Sequence, residues 1–116
     1  MASLNRCEFI GNLTRGPELR SFANGGQIAT CSIACNERWT DKESGQKRER
    51  TEFVNLVFDG RLAEVAAKWL RKGSLTYVSG QLRTRKWQGQ DGQDHYTTEI
   101  RVRDMQMLGG KSESNG

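Results

Sequence analysis

Short β-rich runs, separated by glycine-bearing turns and interrupted by a single helical stripe, leave this chain few architectures. Leu4 to Leu13 sets Cys7, Phe9 and Gly11 on one face of a strand, its glycine marking a bend or bulge. Gly16-Pro17 breaks that strand, and Asn24-Gly25-Gly26 is a hairpin signal because glycine tolerates positive φ. Gln27 to Asn36 returns with Ala29, Cys31, Ile33 and Cys35 on one face. A polar excursion follows over Glu37 to Arg50, tipped by Asp41-Lys42-Glu43-Ser44-Gly45, and Thr51 to Phe58 comes back antiparallel. Arg61 to Lys72 reads as the helix: Leu62, Val65, Ala66, Trp69 and Leu70 form one apolar stripe, which assigns Trp69 to the core. Asp59 suits its N-cap, Arg71 and Lys72 its C-terminal dipole, and Gly73 its stop. Ser74 to Thr84, interrupted by Gly80, runs on through Arg85-Lys86-Trp87 to the Asp91-Gly92 turn, and Tyr96 to Met107 closes the domain. Residues 1–110 form one domain, and Lys111 to Gly116, without periodicity, is expected to be a disordered stub.

Five strand segments with one helix between the third and fourth give an all-β class, in the order of a five-stranded OB-fold barrel with long protruding hairpins. Strand order alone leaves other small barrels open. A 116-residue chain with 34% hydrophobic residues has a thin core, and self-association is one way to bury more. No run of eighteen apolar residues exists to span a membrane, and Met1 to Arg6 lacks a signal peptide's apolar stretch, so a cytoplasmic location is expected.

Function classes narrow by what is missing. Three cysteines, Cys7, Cys31 and Cys35, make no disulfide framework in a chain without a secretion signal and read as small buried hydrophobes. His95 is the one histidine, no CxxC pair exists, and no metal or other cofactor is expected. No GxSxG elbow, Walker loop or dinucleotide fingerprint appears, so no catalytic residue is assigned and an enzyme is not expected. A net charge of +4 with 28% charged residues is compatible with a nucleic-acid partner without demanding one.

The stretch from Gln81 to Trp87 carries the chemistry. Residues two apart share a strand face, so Arg83, Arg85 and Trp87 form a row of two guanidinium groups and an indole, with Lys86 between them. Cations for phosphates and flat rings for unstacked bases are what single-stranded nucleic acid needs. The alternative is a solvated edge strand with Trp87 partly packed. Trp39 stands at the base of the hairpin arm, whose Arg38, Lys42, Lys47, Arg48 and Arg50 outnumber Asp41, Glu43 and Glu49 by two. It either stacks a base or anchors the arm. Phe53 lies near Trp39 if the hairpin is in simple register, although a phenylalanine in a β-rich run is usually core. His95 reads as a solvated loop residue.

These residues also carry a family resemblance. Gly11-Asn12-Leu13, Pro17-Glu18-Leu19-Arg20, Asn24-Gly25-Gly26, Leu62-Ala63-Glu64-Val65-Ala66 and Leu70-Arg71-Lys72-Gly73-Ser74 resemble bacterial single-stranded DNA-binding protein. So do Gly80 through Trp87, Gly92-Gln93-Asp94, Tyr96-Thr97-Thr98-Glu99 and Met105 through Gly110, collinear over Leu4 to Gly110. The resemblance implies an OB-fold that assembles as a homotetramer and binds single-stranded DNA without sequence preference in replication, recombination and repair. A primosome-type dimer acting as a protein adaptor is the neighbouring reading, and a carboxylate-based nuclease the one from another class.

Under that resemblance the stacking positions fall on Trp39, Phe53 and Trp87. A further stacking phenylalanine falls on Asp59, so either Phe58 serves in its place or the subsite is lost. The basic positions are Lys42, Arg61, Lys72, Arg83, Arg85 and Lys86. The last strand is a few residues shorter than in well-known members. The family's long linker and acidic tip are missing before Gly116, so tail-mediated docking of replication and repair enzymes is not expected of this chain. The resemblance places the protein at the nucleoid in the cytoplasm.

Overall fold

A computed structural model describes residues 2–109; the stub expected at 111–116 lies outside them. Among the described residues the chain forms six strands and one helix: β1 (Cys7–Leu13), β2 (Glu18–Ser21), β3 (Gln27–Thr40), β4 (Lys47–Asp59), α1 (Gly60–Trp69), β5 (Leu75–Gln88) and β6 (Asp94–Met107). The order across the sheet is β1-β5-β6-β4-β3-β2, and a further pairing of β1 with β3 closes the ring. Five strands thus make the barrel, with the helix between its third and fourth, while β2 is an extra strand on the edge of β3. Antiparallel pairing holds everywhere except between β4 and β6, where Leu56 faces Ile100 and Val57 faces Arg101 in parallel.

Alternation along each strand fills the interior. Ala29, Cys31 and Ile33 from β3, Leu56 and Phe58 from β4, Val78 from β5, and Ile100 and Val102 from β6 are all buried, and Ala63, Ala66 and Leu70 plug one end. Phe58 and Ile33 are the largest of these, and full burial of such a side chain stabilises by about 1.5–3 kcal/mol. Burial also pushes the Cys31 thiol up to about 11, the behaviour of an inert core thiol.

Closing so small a barrel forces backbones together at Gly11 and Gly80. A Cβ on Gly11 would lie 2.3 Å from the Ala34 carbonyl oxygen, where β1 swings from β5 to β3. One on Gly80 would lie 2.1 Å from the Arg101 carbonyl oxygen, at a bulge that shifts the β5–β6 register between Ser79 and Gly80. The glycine at each position is a packing requirement, as the broken strand patterns suggest.

The structure corrects four local expectations. The helix stops at Trp69 instead of Lys72, because Leu70 turns to extended backbone (ψ 144°). Trp69 is 55% exposed: the buried face is centred on Ala63, Ala66 and Leu70, which leaves the indole on the flank with Lys68 Nζ 5.2 Å above its ring. Asp59 occupies the N-cap position but makes no capping hydrogen bond; its carboxylate accepts one from Arg101 instead. The strands of both hairpins run further into the arms than their apolar content suggests, with β3 and β4 paired without a break from Ile28 opposite Asp59 to Thr40 opposite Lys47.

Candidate nucleic-acid interface

The outward-facing residues of β2, β3, β4, β6 and β5 form one continuous surface. On β5, Arg83, Arg85 and Trp87 share this face and stand directly opposite Glu99, Thr97 and His95 of β6. The row expected from two-residue spacing is therefore real. Neighbouring β4 turns Phe53, Asn55 and Val57 to the same side, because its alternate residues Leu56 and Phe58 point inward. Val57 faces Arg101 across the parallel pair, which brings the β4 and β6 rows together.

Trp87 is held in place and still open to a ligand. The residue is 42% exposed, its Nε1 donates a 2.9 Å hydrogen bond to Thr97 Oγ1, and its ring stacks on His95 with centroids 4.7 Å apart and planes at 24°. His95 is thus a support for the indole on β6, not the solvated loop residue expected. Phe53 is 67% exposed, the opposite of a core phenylalanine. Arg85 lies 3.5 Å from the mostly covered Glu99, whereas Arg83 is exposed and has no carboxylate within salt-bridge distance among the described residues.

The remaining candidates are dispersed. Phe58 is fully buried beneath this surface, so its ring is core and offers no face to a base; that expectation is corrected. With Asp59 paired to Arg101, the fourth aromatic subsite is absent at both positions. Trp39 is 46% exposed and cross-strand from Arg48, but alternation puts it on the opposite face of the arm from Phe53, which pairs with Ala34. Simple register thus separates Trp39 and Phe53 instead of joining them. Lys86 also points away from the Arg83–Arg85 row and lies 3.3 Å from Asp94. Lys42 sits in the arm tip, where backbone N–H groups, that of Glu43 first, hold the Asp41 carboxyl below its ordinary range. Arg61 and Lys72 are exposed in and just after α1.

Sequence reasoning missed three residues beside this surface. Arg15, Arg20 and Phe22 line a groove of about 530 Å³ together with Thr30, Asn55 and Arg85. The hairpin signal at Asn24-Gly25-Gly26 could have found Arg20 and Phe22, since a hairpin needs a strand before its turn as well as after, whereas Arg15 lies before that strand, where no pattern marks it.

A family description, that of the single-strand binding protein family, matches residues 4–108. The chain belongs to that family. Its architecture is similar to that of the SSB of Plasmodium falciparum, solved as a complex with ssDNA, with a TM-score of 0.85 and 32% sequence identity over 93% of this chain and 97% of that one. Single-strand binding proteins are non-catalytic DNA-binding proteins.

Proposed function

We propose that this single-strand binding protein covers single-stranded DNA without sequence preference during replication, recombination and repair, acting at the nucleoid as a homotetramer. The observation that carries the reading is the outer sheet face on which exposed Phe53 and Trp87 stand with Arg83 and Arg85. Rings of this kind stack on any base, and each such contact is worth about 1–3 kcal/mol by alanine substitution. The guanidinium groups take phosphates, which carry no sequence information. Trp39, Lys42 and Lys86, on other faces of the two arms, extend the contact once a strand bends around an arm, and Arg61 and Lys72 continue it toward the helix.

The test is tryptophan emission of a Trp69→Phe variant, which leaves Trp39 and Trp87 as reporters, titrated with poly(dT) at low and high salt. Quenching that saturates at a fixed nucleotide ratio is expected. Affinity should fall by about 0.7 log units per log unit of salt for each phosphate neutralised. A folded protein whose emission does not respond would overturn the reading. Sedimentation of the free protein checks the assembly, where a mass below that of four chains refutes the tetramer.

A further inference from the structure

We propose that binding of a single strand is coupled to protonation of His95, which makes the grip of the β5–β6 arm sensitive to pH. The inference rests on the reading above and adds a proton to it. His95 stacks on one face of the Trp87 indole with centroids 4.7 Å apart, while Trp87 remains 42% exposed for a base. Its Nε2 lies 3.4 Å from Asp91 Oδ1. The ring thus joins the stacking residue to a carboxylate. Imidazole is the side chain whose charge ordinarily changes between about pH 5 and 8.

The turn fixes that carboxylate. Gln93 N–H donates to Asp91 Oδ1 at 2.9 Å, Gly89 N–H to the Gln93 carbonyl at 3.1 Å, and Gly92 N–H to the Gly89 carbonyl at 3.0 Å. Gly89 leaves room for the pair, since a Cβ there would lie 2.8 Å from His95 Nε2 and 2.9 Å from Asp91 Oδ1. The other carboxylates of the arm are matched already. Asp94, beside His95 in β6, is 3.3 Å from Lys86 of β5, and Glu99 is 3.5 Å from Arg85. Asp91 has only the imidazole within salt-bridge distance among the described residues.

The charge that a phosphate meets here therefore depends on one proton. With the imidazole neutral, the arm tip presents an uncompensated carboxylate beside Trp87, which repels the backbone of a strand stacked there. With it protonated, Nε2–H donates to Asp91, the pair is neutral, and a cation lies against the π face of the indole, which attracts it. The ring is one stacking distance from the indole, so its charge acts within the screening length of about 8 Å at physiological salt. A bound strand in turn favours the protonated imidazole, because the two equilibria are linked and each shifts the other by the same factor.

The test is the affinity of the untagged protein for a rhodamine-labelled oligothymidylate, whose bases do not titrate in this range, from about pH 8 to about pH 5.5 at fixed ionic strength. Affinity is expected to rise about 2- to 10-fold as the pH falls. His95→Gln keeps a planar polar side chain without the titrating proton, and its affinity should not change with pH. The chain has one histidine, so a single imidazole resonance reports the same event by proton NMR. Its titration midpoint should lie about 0.3 to 1 pH unit higher in the complex than in the free protein, the same factor seen from the other side. A wild-type affinity that does not change with pH, a pH response that survives in His95→Gln, or equal midpoints in free and bound protein overturns this inference and leaves the main reading standing. Absence of binding at every pH overturns both. Should His95→Gln fail to fold, the two midpoints decide.

Discussion

At the scale of single residues, the proposed interface depends on how one indole is supported. Trp87 is clamped between its hydrogen bond to Thr97 and the stacked imidazole of His95, yet nearly half its surface is open. Replacing it by alanine should therefore cost affinity far more than stability. The expected loss is about 5- to 150-fold in binding, with a nearly unchanged melting temperature. Thr97→Val keeps the shape and removes the acceptor, so a smaller loss of about 2- to 12-fold is expected. Cys31 gives a separate prediction. Its thiol titrates near 9.0 when exposed and is pushed up to about 11 by burial. Between those values the unfolded chain has released a proton that the folded one retains, so stability falls as pH rises from 9 toward 11. Urea denaturation across that range should show the decline, and Cys31→Ala should flatten it.

At the scale of elements, the barrel is controlled by where two strands touch. The Gly80 backbone sits so close to Arg101 that any side chain must push β5 and β6 apart at the bulge. Gly80→Ala is expected to destabilise by about 1–3 kcal/mol, measured as the shift in the urea midpoint. Elements also decide what can be read from sequence. The row Arg83, Arg85 and Trp87 was legible because its strand alternates cleanly once it leaves the core. By contrast, Val54, Leu56, Val57 and Phe58 put apolar residues on both faces of β4, so nothing in the pattern says that Phe53 faces out and Phe58 in. Four residues with three polar side chains carry no strand signal, and β2 went unread together with the rim that follows it. Trp69 kept helical spacing but sits on the flank of the stripe, where α1 ends before its ring is covered.

At the scale of the molecule, two long hairpins project from a closed ring, and the whole measures 55 × 40 × 38 Å. The order of the five barrel strands followed from turn signals, whereas the separation of faces needed the register. Phe53 and Trp87 share a face, and Trp39 looks the other way from the β3–β4 arm. On the proposed binding mode, a nucleotide chain just long enough to lie across the sheet would meet the first two and never reach the third. In single-tryptophan proteins, then, oligothymidylates of increasing length should quench Trp87 from the shortest binders onward. Trp39 should respond only beyond a threshold length, when the polymer has enough contour to turn the corner of the arm. Equal response of both at every length would mean that the strand takes another route. The protein would in this way act as a ruler, telling a short gap from a long exposed tract by how many of its indoles have gone dark.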